Sequence, residues 1–282
     1  MSVGDSNVPI VMPSQALRTG SKNSTQPEVQ QESRRTLSDV RYHVRLSGPW
    51  ILERPALLGD EQAVCLVGSL NFTHPELRAL VDEAHRLQVR VAANAVSEPG
   101  IEAALDAGVD SIEHGDGFAE KVLRRALKRG TYWGPTVKVV ADWAETMPAD
   151  KPRRTYLTRR VALRHENLRR GRALGVKVAL GFDAGSSPWS RHPAREFEAV
   201  VVHGGLTQMQ AIQAGTSVAA DLIGANSRVG RIRPGMLADM VAVRANPLTD
   251  IAALQKVTFV MKGGRLVCTD GNTRPEPVCT EP

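Results

Sequence analysis

The chain has 282 residues, 42% hydrophobic, 23% charged and 4% aromatic, the profile of a soluble globular protein whose core is built from Ala, Val, Leu and Ile. Its net charge of +6 comes with no nucleic-acid-binding motif, and the basic stretches at residues 121–128 and 151–172 read as solvated faces of amphipathic helices, so no nucleic-acid partner is expected. No apolar run reaches the roughly 18–20 residues of a membrane span, the start lacks a secretory signal pattern, and Cys65, Cys268 and Cys279 have no disulfide-framework spacing, which together suit a reducing cytoplasm.

Residues 1–60 differ in texture from the rest. Residues 15–35 are rich in Ser, Thr, Gln, Asn and Arg and read as disordered. Residues 42–58 hold Trp50, Ile51, Leu57 and Leu58 without a sustained period; a short hairpin or docking segment is the expectation.

From residue 62 strands and helices alternate. Residues 63–67 form an apolar run, the mark of a buried strand. Thr73 is placed to cap a helix running to 87, with Pro75 in its first turn and Leu77, Leu80, Val81 and Ala84 on one face. Strands are predicted at 89–95, 109–113, 132–137 and 176–181. Helices are predicted at 99–107, 119–128, 151–174, 194–203 and 207–222, several stopped by a glycine such as Gly108, Gly130 or Gly175. Five strands alternating with helices imply parallel βαβ units, hence a (β/α) barrel or a doubly wound sheet. No GxGxxG or Walker sequence follows any strand, which weakens the nucleotide-binding sheet. Beyond residue 229 the pattern becomes short β elements at 238–243, 257–261 and 265–268. Lys262-Gly263-Gly264 makes a hairpin turn, and residues 269–282 read as a frayed tail.

Several segments resemble the metal-dependent amidohydrolases of the imidazolonepropionase and prolidase-like branch. They are the helix holding Leu77 to His85, the run from Gly100 to Gly115 ending Ser-Ile-Glu-His-Gly, Pro135-Thr136, Leu180-Gly181-Phe182-Asp183-Ala184-Gly185, and the Pro234-Gly235-Met236-Leu237-Ala238-Asp239 stretch with its following β elements. The resemblance covers residues 62–268. It implies an α/β chain forming a partial (β/α)8 barrel, family strands four to eight, over residues 61–228, with a small C-terminal β appendage over 229–268.

The resemblance also implies a hydrolase of C–N bonds in a small-molecule substrate, working through one or two divalent ions, Zn²⁺ first, at the C-terminal strand ends. His114 matches the sixth-strand metal ligand. Asp183 matches the eighth-strand Asp, which would be both metal ligand and catalytic base. The other ligand positions depart from the family. Asn94 stands where the fifth strand has His, the fourth-strand Lys position falls near Cys65, and no His-x-His occurs anywhere. An amide is a poor zinc ligand, so two matching residues imply a weakly held ion or none, and a catalytically inactive relative is the rival expectation.

Other readings stand beside these. His114 can be a polar strand end, Asp183 a cap for the next helix, Cys65 an inert buried thiol or a substitute third ligand. His192 falls in the loop after the eighth-strand motif, where the family contacts substrate; His74 reads as a helix start and His85 as an outward helix residue. Five strands of eight leave open edges. A strand from the first 60 residues, near 42–46 or 50–52, a second subunit covering the edges, or a chain incomplete at its start would each resolve this.

Overall fold

The computed structural model describes residues 42–45, 70–183 and 193–269. The predicted strand at 63–67, Cys65, His192 and residues 270–282 lie outside the described residues.

Four parallel strands form the main sheet, in the order β1 (Tyr42–Arg45), β2 (Val91–Ala95), β3 (Ser111–His114) and β4 (Tyr132–Gly134). Between them run helices α1 (His74–Arg86), α2 (Glu98–Ala107) and α3 (Glu120–Arg129). The strand at Tyr42–Arg45 pairs directly with β2, so the early segment does contribute a strand to this edge. The register sets Asn94 beside Glu113 and Glu113 beside Gly134 in one row, with Ala95 beside His114.

Strand alternation separates the two faces. Val91, Ala93, Ala95, Ile112 and Trp133 share one buried cluster with Leu77 and Val81 of α1, Ile101 and Leu105 of α2, and Leu123 of α3. The opposite set includes Asn94, Ser111, Glu113 and Tyr132. Helix ends follow the sequence signals: Thr73 and Glu76 form a capping box on α1, and Gly108 and Gly130 close α2 and α3 in the left-handed conformation.

Four expectations for residues 132–222 need correction. The predicted strand at 132–137 stops at Gly134; Thr136 turns left-handed (φ 42°) and α4 (Val137–Thr146) begins at once. Thr136 supplies no side-chain cap. Glu196 of a distant helix accepts from the amides of Val137 (2.9 Å) and Lys138 (2.6 Å) instead, a long-range cap no local pattern announces. The predicted strand at 176–181 reduces to one parallel bridge, Trp133 with Val178: β4 is three residues long, and Pro135 beyond it has no amide to extend the ladder.

The basic stretch at 151–172 is the third correction. It lies in α5 (Pro152–Leu174), whose C-cap is Gly175, but Arg160 (8% exposed) and Arg164 (1%) are buried against Asp116 rather than solvated. Fourth, the predicted helix 207–222 is two helices, α7 (Gln208–Gly215) and α8 (Ser217–Leu222), broken at Thr216; α6 (Arg195–Val202) precedes them. Helix α5 approaches the sheet closely because Gly171 has no side chain: a Cβ there would meet Trp133 Cζ3 at 3.1 Å.

The C-terminal unit is an antiparallel sheet of β5 (Met240–Val243), β6 (Val257–Lys262) and β7 (Arg265–Thr269). Its hairpin turns through Gly263 and Gly264, both at positive φ, with the Gly263 amide donating to Asp239 Oδ1 at 2.7 Å. Cys268 is disulfide-bonded. This withdraws the cysteine argument for a reducing compartment. No described helix is long and apolar enough to cross a membrane.

Candidate metal centre at the strand ends

Four non-glycine residues among those described have positive φ: Gln88, His114 (68°), Thr136 (42°) and Asp183 (57°). Gln88 follows α1. The other three sit where β3, β4 and the segment after Val178 end, and each turns its side chain there. Such conformations cost on the order of 1–3 kcal/mol and persist only where surrounding contacts fix them. The contacts are visible. Trp133 Nε1 donates to the His114 carbonyl (2.9 Å), and Arg164 Nη1 donates to the carbonyls of Pro135 (2.9 Å) and Thr136 (2.6 Å). Gly115 must be glycine for the same packing: at φ 70°, a Cβ would lie 2.5 Å from Phe118 Cδ2 and 2.6 Å from Trp133 Nε1.

The geometry brings the two sequence-predicted residues together. His114 Nε2 lies 3.9 Å from Asp183 Oδ2; the imidazole is 10% exposed and the carboxylate 44%. The other ring nitrogen, Nδ1, is 2.7 Å from Thr136 Oγ1. One nitrogen of the ring is thus anchored and the other faces an acidic, half-open position.

Glu113, which sequence reading passed over, lies in the same surroundings. Burial pushes its carboxyl up to about 7, the Ser111 hydroxyl opposes that by donating at 2.7 Å, and the negative charge of Asp183 adds to the rise. The carboxyl occupies the space a side chain at 134 would need, since a Cβ on Gly134 would lie 2.2 Å from Glu113 Oε2. A glycine at the end of β4, next to a buried strand Glu, was the available signal.

Asn94 is 4% exposed, and its Oδ1 has no hydrogen-bond partner among the described residues. It neighbours Glu113 in the sheet register. His85 is far from this end of the sheet: its Nε2 pairs with Asp110, before β3, at 2.9 Å. His74 opens α1 and is exposed. Among the described residues, no group of three or more His, Cys, Asp or Glu side chains is placed to hold a metal ion.

Behind the rim lies a buried ionic cluster. Asp116 is bonded by Arg160 and Arg164, whose Nε donates at 2.6 Å, and its carbonyl accepts from Asn167 Nδ2 at 2.8 Å. Burial pushes the Asp116 carboxyl up, but the two guanidiniums outweigh it and hold the group below the usual carboxylate range. Glu196, buried at the N-terminus of α4, is pushed up to about 7 by burial, against the pull of the two amides it caps.

Comparison with known proteins gives the family of the chain. The amidohydrolase family model matches residues 62–267. Ochratoxinase of Aspergillus niger is 32% identical over 203 residues, covering 69% of this chain and 41% of that enzyme. Imidazolonepropionase of Geobacillus thermodenitrificans is 30% identical over 209 residues, covering 71% and 45%. Among solved structures, a Xaa-Pro dipeptidase with methionine bound in its active site superposes with a TM-score of 0.65 at 33% identity, over 70% of this chain and 49% of that one. The ochratoxinase crystal structure gives 0.69 at 29%, over 82% and 51%. The chain spans less than half the length of these two curated relatives. With the family model covering most of the sequence and the strand-end motifs in order, the chain belongs to the amidohydrolase family.

Proposed function

We propose that this chain carries part of an amidohydrolase metal centre, with His114 and Asp183 as its two surviving ligands and Asp183 also in the position of the catalytic base. In a partial (β/α)8 barrel of family strands four to eight, β2, β3, β4 and the Val178 segment then correspond to strands five to eight, with Tyr42–Arg45 standing beside the fifth. The reaction class of such a centre is hydrolysis of a C–N bond, amide or cyclic amide, in a small molecule. One observation carries this reading: Nε2 of His114 and Oδ2 of Asp183 face each other at 3.9 Å, on residues whose left-handed backbones turn them to the same rim.

The donors described do not fit a tightly held Zn²⁺. A catalytic zinc takes about three protein ligands plus water. The buried Asn94 oxygen, left without a partner, offers an amide where a strong ligand is needed. No hydrolytic step is therefore derived through a metal on this chain alone. It is expected to bind divalent ions weakly and to hydrolyse slowly. The second reading, a non-catalytic relative that serves as a subunit or binding partner, is favoured by the same orphaned Asn94.

The test is a panel of Xaa-Pro dipeptides, N-acyl amino acids and cyclic amides, assayed with and without millimolar Zn²⁺, Mn²⁺ or Co²⁺. Metal-dependent turnover abolished by Asp183→Asn supports the hydrolase reading. Turnover that ignores both metal and Asp183 refutes it, and absence of turnover on every substrate favours the non-catalytic reading.

A further inference from the structure

Arg164 is a fully charged side chain only 1% exposed, on the middle of a long helix, and it is committed to one place. Its Nε reaches Asp116 Oδ1 at 2.6 Å. Its Nη1 donates to Pro135 O (2.9 Å), Thr136 O (2.6 Å) and, more distantly, Thr136 Oγ1 (3.3 Å). Burying a guanidinium is costly unless charge and hydrogen bonds compensate; Asp116, shared with Arg160, is the main counter-charge and Glu196 adds to it. Nη2 faces Asp116 without a hydrogen bond of its own, and Nη1 is spent on the turn that holds Thr136 at φ 42°. A β-branched residue is rarely held left-handed, and here the consequence is specific. The turn aims the Thr136 hydroxyl at His114 Nδ1, 2.7 Å away.

We propose that Arg164 is a positioning residue for His114. Anchored by Asp116, its fork fixes the Pro135–Thr136 turn, the Thr136 hydroxyl fixes Nδ1, and the ring presents Nε2 to Asp183. The inference builds on the proposed metal centre, since it explains how one ligand is held, but it concerns only contacts within the protein. The Thr136 hydroxyl can donate to Nδ1 or accept from it, so the contact fixes the orientation of the ring, and the carboxylate of Asp183 facing Nε2 favours the neutral tautomer that carries its proton there. Arg suits this task where Lys does not, because a planar fork can hold a carboxylate and two carbonyls at once and an ammonium cannot.

The experiment reads the ring nitrogens of His114 by NMR in metal-free, full-length protein labelled with ¹⁵N-histidine, the signals assigned by their loss in His114→Gln. At a pH where the ring is neutral, the wild type is expected to show a single tautomer. Arg164→Lys keeps the positive charge beside Asp116 but loses the fork, and Thr136→Val keeps the shape but loses the hydroxyl. Both should convert the single form to an averaged mixture, while Thr136→Ser restores it. Should Arg164→Lys fail to fold, Asp116→Asn/Arg164→Gln, which removes both buried charges together, takes its place with the same expectation. Wild-type ring signals in a folded Arg164 variant, or in Thr136→Val, overturn the proposal, because a merely structural Arg164 would leave them unmoved. Metal titration of the same samples reports separately on the metal centre. A chain that binds no metal but shows the tautomer shift refutes that reading and leaves the positioning role standing.

Discussion

His114 and Asp183, 69 residues apart by number, meet at 3.9 Å through Nε2 and Oδ2, one almost buried and the other nearly half exposed. That asymmetry defines the site: an anchored imidazole at the end of β3 and a solvent-facing carboxylate after the Val178 bridge.

The rim depends on Trp133, which is fully buried, donates to the His114 carbonyl and packs on Phe118 with ring centroids 4.7 Å apart. Trp133→Ala is expected to cost about 3–5 kcal/mol of stability. Denaturant unfolding measures it; a loss under about 1 kcal/mol would mean that the rim is not supported by this ring.

Gly115→Ala introduces a methyl group into contact with Phe118 and Trp133 at a left-handed position. Strain and overpacking together predict a loss of about 1–3 kcal/mol and a weakened His114–Asp183 approach. Unchanged unfolding would contradict the packing described.

Removing the carboxylate under the two guanidiniums should be severe. Asp116→Ala leaves Arg160 and Arg164 buried without their counter-charge. A loss of about 3–5 kcal/mol is expected, readable in the unfolding midpoint. A variant as stable as the wild type would show the cluster to be solvated.

Glu196 gives a pH signature. Its folded value, about 7, lies above the ordinary 4.5, so between those two pH values the folded chain binds more protons than the unfolded one. The contribution to stability is therefore full below about 4.5 and falls as pH rises toward 7, by on the order of 3 kcal/mol. Glu113 acts in the same direction. His165, lowered to about 4 chiefly by burial, acts in the opposite sense as pH falls through 6.5 toward 4. The clean comparison is thus wild type against Glu196→Gln. The variant should gain stability relative to the wild type as pH rises from 4.5 to 7; a constant difference would show that Glu196 does not titrate there.

Much of this architecture was legible because it is written locally. Thr73 with Glu76, and Gly108, Gly130 and Gly175, mark helix ends within a few residues of themselves. The Ser-Ile-Glu-His-Gly and Phe-Asp-Ala-Gly motifs carried His114 and Asp183. What escaped was set across the fold. Helix α4 starts because Glu196, 59 residues from Val137, caps it. Arg160 and Arg164 look like a solvated face until Asp116 is seen opposite them. Thr136 reads as a strand end until the fork of Arg164 is seen to turn it. The Glu113 carboxyl, central to the site, was hidden inside a motif read only for its histidine.

The most direct measurement is Zn²⁺ titration of metal-free protein, alongside elemental analysis of protein purified without chelator. The expected result is well under one ion per chain as purified and a weak site on titration, lost in both His114→Ala and Asp183→Ala. A tightly held, stoichiometric ion that withstands dialysis, or a site indifferent to either substitution, would contradict the assignment of these two residues as the remaining half of a metal centre.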